Sequence, residues 1–103
     1  MRDIQFRLSL IFTKEDMKRL TIKEKNGETK IMADVHGMSV KNAKRFINNI
    51  INVVRTAVEI IVIHGFNHGT AIKDMIASGI DNSRVSVISP DYKNQGITHI
   101  IAA

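Results

Sequence analysis

Apolar residues recur along this chain with different periods, and each period predicts a different element. Ile4, Phe6, Leu8, Leu10 and Phe12 alternate with Gln5, Arg7, Ser9 and Ile11, the period of a half-buried strand. Thr13-Lys14-Glu15-Asp16 follows as a turn or a short helical start. Asn26-Gly27 favours a two-residue type I′ turn, which fixes a hairpin register: Lys25 opposite Glu28, Ile22 opposite Ile31, Leu20 opposite Ala33. Apolar meets apolar across that ladder. The same parity carries Val35 onto that face and leaves Met32, Asp34 and His36 on the other.

Helical spacing comes next. Ser39 is an N-cap, and Ala43, Phe46, Ile47, Ile50, Ile51 and Val54 form one apolar face opposite Lys41, Lys44, Arg45, Asn48, Asn52 and Arg55. The run from Val58 to Ile63 is β-branched at every position but Glu59, which predicts a strand covered on both faces. It stops at His64-Gly65, and Asn67, His68 and Gly69 supply turn chemistry. Thr70 is placed to cap a helix near Ala71 to Ser78, in which Ile72, Met75 and Ile76 recur and after which Gly79 acts as a stop. A weaker strand over Arg84 to Ser89, a loop from Pro90 to Gly96 and a last strand over Ile97 to Ala102 complete the chain.

Composition narrows the partners. One hundred and three residues suffice for one domain with a single modest core. The net charge of +5 and pI near 9.8 favour an anionic partner, DNA or RNA foremost. Without cysteine there is neither a disulfide framework nor a thiolate metal site. No targeting segment or membrane-length apolar run is read, so the expected setting is cytoplasmic with no membrane partner. The expected assembly is a monomer or a weak homodimer.

Two strands end in His-Gly and are joined by one helix. They are therefore expected to be parallel, with a right-handed crossover. If adjacent, they bring Asp34, His36 and Gly37 to the same sheet edge as His64 and Gly65, beyond the carboxyl ends where such sheets bind ligands. There Asp34 can orient His36 or bind a divalent cation, and His36 can act as general base or acid. His64, His68, Lys73 and the second helix's first amides can hold a phosphate, and Phe66 can stack on a base. Structural readings stand beside these. Asp34 can accept backbone hydrogen bonds, His36 can cap the turn, and His64 shares the parity of Val58, Ile60 and Val62, which suits a satisfied, partly buried histidine. His99, inside the last strand, reads as structural. No His-x-x-x-His pair falls on a helix, and His64 and His68 straddle a turn, so no resident metal centre is expected.

Asp34-Val35-His36-Gly37 before the Ser39 helix, His64-Gly65, Gly69, and Gly96-Ile97-Thr98, in that order, resemble the Smr (small MutS-related) domain over about residues 31–103. The resemblance implies a two-layer α/β sandwich with a βαβαββ core, a mixed sheet and two helices. Residues 1–30 then form an N-terminal strand and hairpin extension packed on that core, extending the sheet or supporting self-association. It also implies nucleic-acid binding with DNA-nicking or RNA-cleaving activity, with Mg²⁺ or Mn²⁺ the only cofactors to consider. Asp34 and His36 match the family's Asp-x-His motif, and His64, Gly65 and Gly69 match its glycine-rich loop. The expected catalytic set is Asp34, His36 and His64. The expected nucleic-acid or phosphate contacts are Gly37, Gly65, Phe66, Asn67, His68, Gly69, Thr70, Lys73 and Gly96. The chain departs from the family pattern in the loop, where Phe66-Asn67-His68 lacks the middle glycine, and before the last strand, where Lys93-Asn94 replaces paired glycines. Two alternatives follow: a non-catalytic nucleic-acid or protein binding module, and a small phosphorylated-ligand binder at the 64–70 loop.

Overall fold

A computed structural model describes residues 2–66 and 69–103, with the backbone alone for residues 2 and 3. Asn26 and Gly27 take φ of 54° and 79°, the left-handed pair that a type I′ turn requires. The turn joins β1 (Leu20–Lys25) to β2 (Glu28–Asp34), and the pairs Lys25 with Glu28, Ile22 with Ile31 and Leu20 with Ala33 are those expected. Ile31, Ala33 and Val35 are buried on one face, whereas Met32 and Asp34 are half-buried and His36 is exposed.

Ser39 caps α3 (Val40–Val53), its hydroxyl oxygen accepting the Asn42 N–H at 3.1 Å. The helix crosses over to β3 (Val58–Ile63), which lies parallel and adjacent to β2 with Asp34 opposite Ile63. The chain continues through α4 (Ala71–Ala77), β4 (Val85–Pro90) and β5 (Ile97–Ala102). The five-stranded mixed sheet has the order β1-β2-β3-β5-β4. Ile31, Ile60, Val62 and Ile100 of its covered face pack with Phe46, Ile47, Ile50 and Ile76 of the helices in one core. Each such side chain contributes roughly 1.5–3 kcal/mol on burial. The molecule is thus a two-layer α/β sandwich. No helix among the described residues is long and apolar enough to cross a membrane.

Three expectations are corrected. Residues 2–11 form a helix, α1 (Arg2–Ile11), where alternation predicted a strand. A period of two contains a period of four, so Ile4, Leu8 and Phe12 also fall on one helical face. Leu8 is fully buried there, and Phe12 stacks on Phe46 with ring centroids 4.6 Å apart. Phe6 and Leu10 are left on the opposite side, exposed. Arg2, Gln5, Arg7, Leu8 and Leu10 are good helix formers, and the segment has no Gly or Pro to interrupt a helix. The N-terminal extension therefore adds to the helical layer before β1 extends the sheet; between them lies α2 (Lys14–Met17), capped reciprocally by Thr13 and Asp16.

Second, β3 is covered on one face only. Val58, Ile60 and Val62 are buried, but Glu59, Ile61 and Ile63 are half-buried because the helices share a single side of the sheet. β-Branched residues on both faces suit strand conformation as well as they suit burial. Third, Thr70 precedes α4 with φ −121° and ψ 18° and makes no cap bond to backbone. Its hydroxyl instead donates to the Asp74 carboxylate at 2.9 Å.

On the open face of the sheet, His99 lies between two carboxylates: Nε2 is 2.7 Å from Asp91 Oδ1 and Nδ1 is 2.8 Å from Glu59 Oε2. Lys30 Nζ stands 3.8 Å from the other Glu59 oxygen. Only the imidazolium can donate from both nitrogens. The Asp91 hydrogen bond, opposed by partial burial and reinforced by Glu59, raises the His99 pKa above its ordinary value; the His99 contact in turn lowers that of Asp91. A raised histidine pKa stabilises the fold fully below the unfolded-state value and loses that contribution as pH rises through the folded one. Urea unfolding midpoints are therefore expected to fall from pH 6 to pH 8.5, and His99→Gln to flatten that slope. An unchanged slope in the variant would remove His99 from the account.

Candidate functional site

Asp34 ends β2, and the chain turns immediately. The Met38 N–H donates to the Val35 carbonyl at 3.1 Å, and Gly37, third of the four residues, has φ +81°. That is a type II turn, whose third position favours glycine, and it places His36 at the exposed tip. Asp34 Oδ1 accepts the His36 backbone N–H at 3.2 Å and also meets Nδ1 of its ring. A carboxylate on Nδ1 fixes the ring orientation and leaves Nε2 facing outward. The His36 side chain is 67% exposed, so that nitrogen can be reached by a substrate.

The second His-Gly motif closes against the first. β2 and β3 are bound beyond their last pair by the Val35 N–H to the Ile63 carbonyl, 2.9 Å. A side chain at Gly65 would place its Cβ 3.7 Å from that of His36. His64 points into the core, 6% exposed, with Nδ1 2.8 Å from the Gly65 carbonyl and Nε2 2.8 Å from the Thr98 hydroxyl. Nδ1 must donate to the carbonyl, so Nε2 accepts from Thr98 in the neutral ring. His64 thus holds the loop from beneath, with both nitrogens already partnered inside the fold.

Gly96 completes the edge. Its carbonyl accepts the N–H groups of His64 and Gly65, at 2.9 and 3.1 Å. A Cβ at Gly96 would lie 3.2 Å from both Gly65 Cα and Asn94 Oδ1, tight enough to push the loop. Gly96→Val is expected to destabilise the domain by about 1–3 kcal/mol through this crowding. Denaturant unfolding checks the loss; a variant as stable as the parent would show that the loop yields without strain.

A cleft of about 640 Å³ opens beside these turns, lined by His36, Gly37, Gly65, Phe66, Gly69 and Lys73 among others. Phe66 is 49% exposed and Lys73 half-buried, in the first turn of α4. Thr70 is exposed but engaged by Asp74, so a carboxylate already occupies that end of α4. The structure thus gathers His36, Gly37, His64, Gly65, Phe66, Gly69 and Lys73 around one cleft, with Asp34 joined to it through the His36 ring. Gly96 lies beneath as a support. The proposed contacts at Asn67 and His68 lie outside the described residues. Among the described residues, no three His, Asp or Glu side chains form a group that could hold a metal ion.

Sequence reasoning missed Arg19. Its Nη1 donates to the carbonyls of Asp34, at 3.0 Å, and His36, at 3.2 Å, clasping the turn from behind. The signal was present in the hairpin register, since continuing one step past Leu20 opposite Ala33 sets Arg19 opposite Asp34. The Arg19 carbonyl accepts the Asp34 N–H at 2.9 Å, so the ladder does extend that far.

Fold and site together define a two-layer α/β domain that carries a histidine–carboxylate pair over a glycine-lined cleft. No family model, curated protein or solved structure matches the chain.

Proposed function

We propose that this is an Smr-like nucleic-acid-binding domain that cleaves phosphodiester bonds at the Asp34–His36 turn. The observation that carries the reading is the outward Nε2 of a carboxylate-oriented His36 at the mouth of the cleft that Lys73 also lines. In this reading His36 takes the proton of the attacking oxygen as that oxygen bonds to phosphorus, the bond from phosphorus to the leaving oxygen breaks, and the leaving oxygen takes a proton from water. Lys73 offsets charge on the phosphate. Mg²⁺ is commonly held by one or two carboxylates together with substrate phosphate oxygens, a donor set that Asp34 fits, and it would neutralise charge on the phosphate. The ordered motifs and the net charge of +5 support a polyanionic substrate.

A second reading, a binding module without the reaction, is favoured by the loss of the loop's middle glycine at Phe66-Asn67-His68. One experiment separates the two. The purified protein is incubated with supercoiled plasmid and with a structured RNA, with and without Mg²⁺ or Mn²⁺, and binding is followed against salt. Cleavage that disappears in His36→Ala supports the enzyme. Cleavage unchanged in that variant assigns it elsewhere, and steeply salt-sensitive binding without cleavage selects the module. A ligand preference confined to small phosphorylated molecules, with only mild salt dependence, would replace both.

A further inference from the structure

The 91–96 loop ends at the same sheet edge as the candidate site, because Ile97 begins β5 directly opposite Ile63, the last residue of β3. Within it the Tyr92 side chain is 88% exposed. The loop that presents this ring is tightly held. Asp91 Oδ2 accepts the N–H groups of Lys93, at 3.1 Å, and Asn94, at 2.9 Å, while Oδ1 receives His99. Asn94 Oδ1 accepts the Gly96 N–H at 2.8 Å, and the Gly96 carbonyl grips the His64-Gly65 loop. Tyr92 is thus presented on a braced turn joined directly to the loop that carries Phe66. Lys93 Nζ lies 5.4 Å from the Tyr92 ring centroid, a cation over one face of the ring.

Along this sheet edge, His36 follows β2, Phe66 follows β3 and Tyr92 follows β4, with β5 between β3 and β4. Neighbouring strands stand roughly 4.8 Å apart, so the three side chains span a distance on the scale of a few nucleotides. Exposed aromatic rings beside free cations are the means by which proteins take unpaired bases, whereas bases within a duplex are already stacked on both faces. We infer that the substrate of the Asp34–His36 cleft is a single-stranded nucleic acid whose bases stack on Tyr92 and Phe66. The inference rests on the nucleic-acid reading of the site and specifies the state of the strand.

Tyr92 is the only tyrosine in the chain and tryptophan is absent, so intrinsic fluorescence reports on this ring alone. Titrations with a 12-nucleotide oligo-U, a 12-nucleotide oligo-dT and a 12-base-pair duplex, followed by anisotropy and tyrosine emission, test the inference. The single strands are expected to quench Tyr92 and to bind more tightly than the duplex; the two single-strand arms compare RNA with DNA. Tyr92→Ala should weaken single-strand binding by about tenfold, Phe66→Ala similarly, and Tyr92→Phe little. The duplex should be indifferent to Tyr92→Ala. Salt-sensitive binding with unquenched emission and no effect of Tyr92→Ala would overturn the stacking inference and leave the nucleic-acid reading in place. Absence of binding to all three probes would overturn both.

Discussion

His36→Ala is expected to lower the rate of phosphodiester cleavage roughly 10²–10⁴-fold, and adding Asp34→Ala to it to change the rate little further. The reason is geometric. Asp34 Oδ1 engages both the backbone N–H and the ring Nδ1 of His36, so the carboxylate acts through the imidazole that it orients. Two groups that act as one unit give strongly non-additive losses. Rates for the parent, both single variants and the double variant, measured with and without Mg²⁺ or Mn²⁺, distinguish the two roles open to Asp34. A double variant within about threefold of His36→Ala makes Asp34 a positioning residue. Losses that multiply in the presence of the metal, and only there, make it a ligand of the ion. Asp34 is partly exposed and His36 largely so, and neither belongs to the core, so melting temperatures close to that of the parent are expected to accompany the lost activity.

Much of this site was legible because it depends on local rules that propagate through register. Asn26-Gly27 fixes the hairpin, the hairpin fixes the parity of β2, and parity places Asp34 and His36 away from the core. One crossover helix then brings His64-Gly65 alongside. What did not read correctly involves tertiary choice. Residues 4–12 satisfy strand and helix periods together, and only packing against α3, with Phe12 on Phe46, selects the helix. β3 is β-branched on both faces, a pattern that does not report which face the helices cover. The sequence fits His64 both to the catalytic set and to a satisfied, partly buried role, and the neighbour that engages it, Thr98, lies 34 residues on. Nothing in the sequence of the 90–96 loop marks out Tyr92; its exposure, its braced turn and its position at the site edge make it informative.

The end of α3 shows the same dependence on distant residues and carries the largest stability effect. The sequence after Val53 offers no C-terminal glycine, and the last turn of the helix holds no basic residue. Arg84, some thirty residues later at the start of β4, takes that role. Its guanidinium donates to the carbonyls of Ile51 and Val54 through Nη1, of Thr56 through Nη2 at 2.9 Å and of Ala103 through Nε at 2.8 Å. A cation that satisfies the unpaired carbonyls at a helix C-terminus also complements the helix dipole. Arg84→Ala removes all four contacts and leaves those carbonyls to water, at an expected cost of about 3 kcal/mol. For a domain of this size the loss corresponds to a fall in Tm of roughly 12–24 °C. Arg84→Lys keeps the charge but not the planar fork, so an intermediate loss is expected. Because α3 begins at Ser39 beside the cleft and ends at the opposite edge of the sheet, Arg84→Ala should retain the parent's nucleic-acid affinity at temperatures where it is folded. A cost below about 1 kcal/mol would show that water replaces the guanidinium without penalty. Lost affinity in the folded variant would show that the two ends of α3 are coupled through the core.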